Sequence, residues 1–129
     1  NRPNVGRFLV IEGTTACDMP GVPLHAQSTT QEMGCVISIM DKGSIYSRPL
    51  INHMTALADK NGVKWQYRRS ANGFTDARAL HIGANGAVGM GIATPTRYIH
   101  CACNVVFKPD IDDVLNMARL FIKEDSINA

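Results

Sequence analysis

Residues 8–15 of the chain read FLVIEGTT: four consecutive apolar residues followed by a carboxylate, a glycine and two threonines. A short, continuous apolar run is typical of a strand that is buried on both faces, so residues 8–11 predict such a strand. The polar residues after it predict a loop that begins at Glu12. Because ligands of open α/β sheets gather at the carboxyl ends of strands, Glu12 is a candidate site residue. The alternative is a glutamate that turns into solvent where a strand ends.

Further strand patterns follow this first one along the chain. Residues 35–40 and 63–67 predict two more strands. Residues 87–93 and 97–106 predict another two, which Thr94-Pro95-Thr96 would separate because proline interrupts a strand.

Helix signals alternate with these strands. Ser47 is a predicted N-cap with Pro49 in the first turn, and Asn61-Gly62 ends that helix. A second helix closes the chain, with Asp110 as its predicted cap. Its predicted apolar face consists of Ile111, Val114, Leu115, Ala118, Phe121 and Ile122. Alternating strands and helices predict a single α/β domain with a mixed sheet and flanking helices.

Composition excludes several classes of protein. The chain has 129 residues, 45% of them hydrophobic, and a net charge of only +2, which argues against intrinsic disorder and against a strongly electrostatic nucleic-acid binder. No apolar run reaches the ~18 residues that a membrane helix needs. The four cysteines have neither a zinc-site nor a disulfide-framework spacing, so we expect reduced thiols in a cytoplasmic protein.

Three further segments carry candidate chemistry. His100 lies in an apolar stretch, where it is either a metal ligand or general base, or a hydrogen-bonded core histidine. If that stretch is a regular strand, His100 and Cys101 point to opposite faces. Thr75-Asp76 is either a substrate contact or the cap of a short helix that ends at His81. The glycine-rich residues 83–91 lack phosphate-binding spacing and favour close strand packing.

Three motifs together resemble a known family. They are residues 10–23 (VIEGTTACDMPGVP), residues 73–77 (GFTDA) and residues 95–100 (PTRYIH). In this order and at these separations they resemble the dinuclear-metal aminopeptidases of the tetrahedral glutamyl-aminopeptidase and deblocking-aminopeptidase type, whose members are often labelled endoglucanase or cellulase. The resemblance covers essentially the whole chain. Phe74 departs from it, since the family usually has a second glycine there, and Cys101 replaces the usual serine.

The resemblance implies a site for two metal ions, zinc or cobalt, and hydrolysis of N-terminal residues from peptides by a metal-activated water. Glu12 matches a ligand of one metal, and His100 matches a ligand of the other. Thr75 and Asp76 match residues that line the substrate pocket or support the ligands. The general-base glutamate of the family lies upstream of the first motif, so we expect no catalytic residue in this chain.

The same resemblance predicts which other segments and molecules the chain acts with. Residues 1–129 are expected to be the C-terminal portion of a catalytic domain, a single incomplete domain without the family's inserted PDZ-like domain. The expected partners are the remainder of that domain, peptide substrates and further copies in a dodecamer-type homo-oligomer. We expect that the isolated chain neither binds the metals tightly nor hydrolyses peptides. The alternatives are a non-catalytic scaffold derived from the peptidase fold, and a glycan hydrolase.

Overall fold

A computed structural model describes residues 6–83 and 87–127. The strands are β1 (Arg7–Thr15), β2 (Cys35–Ser38), β3 (Trp65–Tyr67), β4 (Val88–Arg97) and β5 (Val105–Val106), and the helices are α1 (Arg48–Lys60), α2 (Ala77–Gly83) and α3 (Lys108–Ile127). Of the described helices, none is long and apolar enough to cross a membrane.

The strands form one mixed sheet in the order β1-β4-β2-β3, with β5 added to the end of β4. Strand β4 lies at its centre, parallel to β1 and antiparallel to β2, and β2 is parallel to β3. Helices α1, α2 and α3 pack against the sheet. The predicted α/β class, a mixed sheet with flanking helices, is therefore confirmed.

Strand β1 differs from its prediction in length and in burial. It continues through Glu12 to Thr15, because it pairs residue by residue with β4 over its whole length. Its residues alternate between buried and exposed, and the side chain of Ile11 is 53% exposed. The predicted loop at Glu12 and the predicted burial of both faces were wrong. The polar residues stay extended because the β4 ladder holds them, and the face of β1 that carries Ile11 is not covered by the described residues.

Strand β4 was predicted as two strands, and this was also wrong. It runs unbroken through the buried Pro95 to Arg97. Strand β2 pairs with β4 only up to Ala93, so the missing N–H of Pro95 removes no ladder bond to β2. Residues 98–103 then form turns in place of the predicted strand, and β5 is only two residues long. The argument that placed His100 and Cys101 on opposite faces of a strand therefore does not apply.

Helix α1 forms as predicted. The Ser47 hydroxyl oxygen accepts the backbone N–H of Leu50 at 3.4 Å, and the helix ends before Asn61 and Gly62, whose φ of +69° favours glycine. The buried residues of α1 are Leu50, Ile51, Met54, Thr55 and Ala58.

Helix α3 begins at Lys108, two residues before the predicted cap. The carboxylate of Asp110 instead accepts the backbone N–H groups of Glu32 and Gly34 at 2.9 and 2.8 Å, so it fixes a neighbouring loop and does not cap its own helix. Burial raises the pKa of Asp110. The buried face of α3 consists of Val114, Met117, Ala118 and Phe121, whereas Ile111, Leu115 and Ile122 are exposed.

Two glycines of β4 allow the close packing that the sequence predicted. A Cβ atom at Gly89 would lie 2.2 Å from the ring of Phe8, and one at Gly91 would lie 2.9 Å from Tyr46. Real Cβ atoms do not approach other atoms this closely, so these positions accept no side chain without a shift of the aromatic ring. The aromatic residues therefore lie directly on the backbone of the central strand. Residues 84–86 of the glycine-rich stretch lie outside the described residues.

Candidate active site

A groove of about 440 Å³ opens at the carboxyl end of β1. Its walls come from β1, from the middle of β4, from residues 68–75 and from the turn after β4. The polar or charged side chains on these walls are Glu12, Thr14, Thr15, Cys17, Ser28, Ser38, Arg68, Ser70, Asn72, Thr75 and His100. Three predicted site residues, Glu12, Thr75 and His100, therefore share one cavity.

Glu12 lies on the same face of β1 as Phe8 and Val10, since residues two apart in a strand share a face. It is half-buried, and its Oε1 atom accepts the backbone N–H of Asp76 at 3.0 Å. A backbone donor from another segment therefore fixes the orientation of this carboxylate. The predicted partner Asp76 contributes its amide, while its own side chain is exposed and is not part of the groove wall.

His100 is exposed and lies in the turn that follows β4, where its φ is +65°. Two hydrogen bonds from Arg97 to Asp18 hold the start of this turn: Nε to Oδ1 at 2.7 Å and Nη2 to Oδ2 at 2.9 Å. The backbone N–H of Gln31 also donates to Asp18 Oδ2, at 2.8 Å. These bonds, that of Arg97 first, hold the pKa of Asp18 below its ordinary value. They join the first and third sequence motifs and hold the start of the turn that carries His100.

Thr75 anchors the segment that contacts Glu12. Its hydroxyl donates to Asp41 Oδ2 at 2.7 Å and lies 2.7 Å from the hydroxyl of Tyr46, which also reaches Asp41 Oδ2 at 2.9 Å. Burial opposes ionisation of Asp41, but the hydrogen bonds from Thr75, from the Gly43 amide and from Tyr46 outweigh it and lower its pKa. Burial raises the pKa of Tyr46. Asp41 is therefore a buried anion that fixes the loop on which Asp76 lies.

Thr75 and Asp76 begin the predicted short helix through their backbone carbonyl groups, whereas the Thr75 side chain does not cap it. The first turn of α2 is closed by bonds from Arg78 N to Thr75 O at 3.4 Å and from Ala79 N to Asp76 O at 3.1 Å. The Thr75 hydroxyl is occupied by Asp41 and Tyr46. The side chain of Thr75 therefore supports the groove and does not cap the helix.

The donor chemistry of Glu12 and His100 suits zinc, which binds carboxylate oxygen and neutral imidazole. Within residues 6–83 and 87–127, however, no group of three or more His, Cys, Asp or Glu side chains is close enough to hold a metal ion. Zinc sites in proteins normally use three or four protein ligands. Glu12 and His100 each suit the role of one metal ligand. A complete coordination shell needs further donor groups, beyond those of the residues that the structure describes.

Sequence reasoning did not identify several residues that shape the groove. Asp18 and Arg97 lie within the first and third motifs, so the joint occurrence of those motifs was a signal that they interact. The contact of Asp41 with Tyr46 and Thr75 has no such signal, because the loops that carry them are brought together only by the fold. Arg68 lies on the groove wall although it belongs to none of the three motifs.

The family model of the M42 glutamyl aminopeptidases matches residues 2–120. An aminopeptidase from the archaeon Desulfurococcus kamchatkensis, APDkam598, is 30% identical with a TM-score of 0.87, and the match covers 95% of this chain and 34% of that one. The Escherichia coli (strain K12) protein FrvX is 23% identical over 121 residues, which is 94% of this chain and 33% of FrvX.

A Thermotoga maritima protein described as an endoglucanase has a TM-score of 0.70 at 21% identity, over 95% of this chain and 35% of that one. At that identity the likeness concerns the fold alone. The chain thus spans about a third of the length of each of these three proteins.

Proposed function

This chain belongs to the family of M42 glutamyl aminopeptidases, and from that premise we propose that it forms part of a metal-dependent enzyme that removes N-terminal residues from peptides. In this proposal Glu12 is a ligand of one divalent metal ion and His100 is a ligand of a second one, zinc or cobalt. Residues 1–129 act as the C-terminal portion of the catalytic domain. The other metal ligands and the general-base glutamate come from segments that precede the first motif in the family.

One observation carries the proposal. A carboxylate and an imidazole that are 88 positions apart in sequence (100 − 12) line the same groove. The groove, at about 440 Å³, has the size of a typical small-molecule site and can hold an amino-acid residue. The hydrogen bond from the Asp76 amide preorients Glu12, as the partners of metal-binding side chains commonly do.

The residues of this chain would position and hold the reacting groups. When bound, two divalent metal ions supply an activated water and positive charge beside the scissile carbonyl. Glu12 keeps its orientation through the Asp76 amide, and the Thr75–Asp41 hydrogen bond keeps the loop that carries this amide in place. The bidentate Arg97–Asp18 pair does the same for the turn that carries His100.

The natural test uses the full-length protein with aminoacyl-p-nitroanilides and with carboxymethylcellulose, before and after treatment with a chelator. We expect release of p-nitroaniline, loss of that activity with the chelator, and recovery when zinc or cobalt is added. We expect no hydrolysis of cellulose. Protein that hydrolyses no anilide with either metal would contradict the proposal and favour the non-catalytic scaffold.

A glycan hydrolase needs two carboxylates at a defined separation around the scissile bond. Among the described residues on the groove wall, Glu12 is the only Asp or Glu. Within the described part of the chain the groove therefore favours the peptidase over the glycan hydrolase.

The assembly is also part of the proposal. We expect the isolated chain to be inactive, since Glu12 and His100 alone provide too few ligands for two ions. We expect the full-length protein to form a homo-oligomer, which sedimentation of the purified protein would detect.

A further inference from the structure

Among the described residues of the groove wall, Phe74 is the one large apolar residue that is exposed. Its side chain is 62% exposed, whereas Val10 and Ile92 on the same wall are buried in the core. The proposed chemistry does not use this ring. A phenyl ring in contact with water favours any apolar group that covers it, so Phe74 is available to an apolar part of a ligand in the groove.

The backbone on both sides of Phe74 is fixed by another loop of the molecule. The backbone N–H of Lys42 donates to Gly73 O at 3.0 Å, and the Thr75 hydroxyl donates to Asp41 Oδ2 at 2.7 Å. Both partners lie in the loop that follows β2. The Cα of Phe74 therefore has a defined place on the wall.

That place is beside the proposed reaction centre. The amide of Asp76, two residues after Phe74, donates to Glu12 Oε1 at 3.0 Å. Consecutive Cα atoms are about 3.8 Å apart, so the Cα atoms of Phe74 and Asp76 are separated by at most about 7.6 Å. A ligand group in contact with the ring would thus lie close to the proposed metal ligand Glu12.

The ring of Phe74 is itself supported by a neighbour. The guanidinium carbon of Arg78 lies over the ring, 5.8 Å from its centroid, which is within the range of a cation–π contact. The stem of Arg78 packs on the backbone of Gly43, because a Cβ atom placed there would lie only 2.9 Å from Arg78 Cδ. The ring is therefore preorganised, which lowers the entropy lost when a ligand binds to it.

We propose that Phe74 is a specificity-determining residue that binds an apolar side chain of the second residue of the peptide, the one that follows the scissile bond. This inference rests on the proposed peptidase function. The name of the family assigns a glutamyl group to the N-terminal residue, and a phenyl ring offers no hydrogen bond to a carboxylate. The ring fits instead an apolar group on the other side of the scissile bond.

The test measures kcat/KM of the metal-loaded, full-length protein on dipeptide amides by liquid chromatography. The N-terminal residue is glutamate or alanine, and the second is phenylalanine, leucine or glycine amide, so none of the substrates has a C-terminal carboxylate. Phe74→Ala removes the ring, and Phe74→Leu keeps an apolar side chain. Phe107→Ala is the matched control, because Phe107 is also exposed but is not on the groove wall.

We expect the wild-type protein to hydrolyse the phenylalanine and leucine amides at least about fivefold better than the glycine amide. Phe74→Ala should lower kcat/KM for the phenylalanine amide about 5- to 30-fold, since apolar contacts discriminate substrates by this order, and leave the glycine amide within about twofold. Phe74→Leu should retain most of the preference, and Phe107→Ala all of it. The midpoint of urea unfolding should not change in Phe74→Ala, because the ring is exposed.

Three results would overturn the inference while the peptidase proposal stands. One is wild-type protein that hydrolyses the glycine and phenylalanine amides equally well. Another is an equal loss on both amides in Phe74→Ala, which indicates a structural role. The third is a Phe74→Ala protein that changes the preference between leucyl- and alanyl-p-nitroanilide but not that among the amides, since the ring would then contact the N-terminal residue. Hydrolysis of none of these substrates would instead contradict the peptidase proposal, and this inference with it.

Discussion

The two halves of the β1–β4 strand pair differ in how they are held. In the first half, Phe8 is buried, its ring lies edge-on to His81 at 5.0 Å between ring centroids, and Gly89 provides the space for it. In the second half, Glu12 faces an open groove, and Arg97 at the end of β4 forms hydrogen bonds with a distant loop. Packing stabilises the first half, and hydrogen bonds between polar groups stabilise the second.

This difference indicates that one continuous pair of strands, β1 and β4, can stabilise the fold with its first half and position the candidate site with its second half. Because packing fills the first half, changes there should lower the free energy of unfolding without changing the activity of the folded protein. Changes at exposed positions of the second half should lower the activity without lowering the free energy of unfolding. The following variants test this separation.

The largest expected effect is on activity, in His100→Asn. Asparagine accepts the left-handed backbone of this position but is a poorer metal ligand than imidazole. We expect kcat/KM on an aminoacyl-p-nitroanilide to fall by at least about 100-fold, since even changes in residues that support metal ligands cost 10- to 100-fold. The free energy of unfolding should change by less than about 0.5 kcal/mol, because the side chain is exposed. Activity within tenfold of wild type would count against His100 as a ligand.

The second effect is on stability, in Gly89→Ala. The added Cβ would meet the buried ring of Phe8, so we expect the free energy of unfolding to fall by about 1 to 3 kcal/mol. Gly83→Ala is the matched control, since a Cβ there would meet no atom within 4 Å among the described residues, apart from its chain neighbours and the backbone of its own helix. Urea denaturation measures both, and kcat/KM per folded molecule should stay near wild type. Equal stability of the two variants would show that Phe8 does not pack as described.

The third effect is the pH dependence of stability that the Asp18 carboxylate contributes. The pKa of Asp18 is lower in the folded protein than its ordinary value, 3.8. Its stabilising contribution is therefore fully present above the unfolded value and is lost as pH falls through the lower folded value. We expect Asp18→Asn to lose about 1 to 2 kcal/mol at pH 7 and to show a weaker dependence of stability on pH below about 4. Chemical denaturation at pH 7 and pH 3 measures both changes.

The control for Asp18 is Asp112→Asn. Asp112 forms an ion pair with Lys108, but its side chain is 54% exposed, so its loss should change stability little. An Asp18 variant that behaves like this control would show that the Arg97–Asp18 pair does not hold the turn of His100.

The smallest effect is expected for Ser47→Ala, on the packed side of the molecule. This change removes the side-chain cap of α1 but keeps the backbone hydrogen bond from Ser47 N to Gly89 O. We expect a loss of about 0.5 to 1 kcal/mol in thermal or urea unfolding and no change in kcat/KM. A loss of activity in the folded variant would break the proposed separation of the two halves.

Local signals predicted the helices better than the strands. The cap of α1 at Ser47 and its end at Gly62 follow from single residues, and the structure confirms both. The length of β1 and the continuity of β4 through Pro95 depend on which strands pair with them, and sequence patterns do not contain that information. The role of the Asp110 carboxylate could not be predicted for the same reason, because one of its hydrogen-bond partners, Gly34, lies 76 residues earlier in sequence.

The candidate site shows a similar division. Glu12 and His100 were predicted from a motif resemblance, and the structure places both on one groove, although their role as metal ligands remains a prediction. Arg68 and the Asp41–Thr75 contact were not predicted, because the surroundings of these side chains depend on which segments the fold brings together.

The central claim is that Glu12 and His100 each bind a different metal ion, and the number of ions bound tests it most directly. Full-length wild-type protein, Glu12→Gln and His100→Asn would each be stripped with a chelator, dialysed against zinc and measured for bound metal by mass spectrometry. The account predicts two tightly bound ions per wild-type chain and the loss of about one ion in each variant. Variants that retain both ions at wild-type affinity would contradict it.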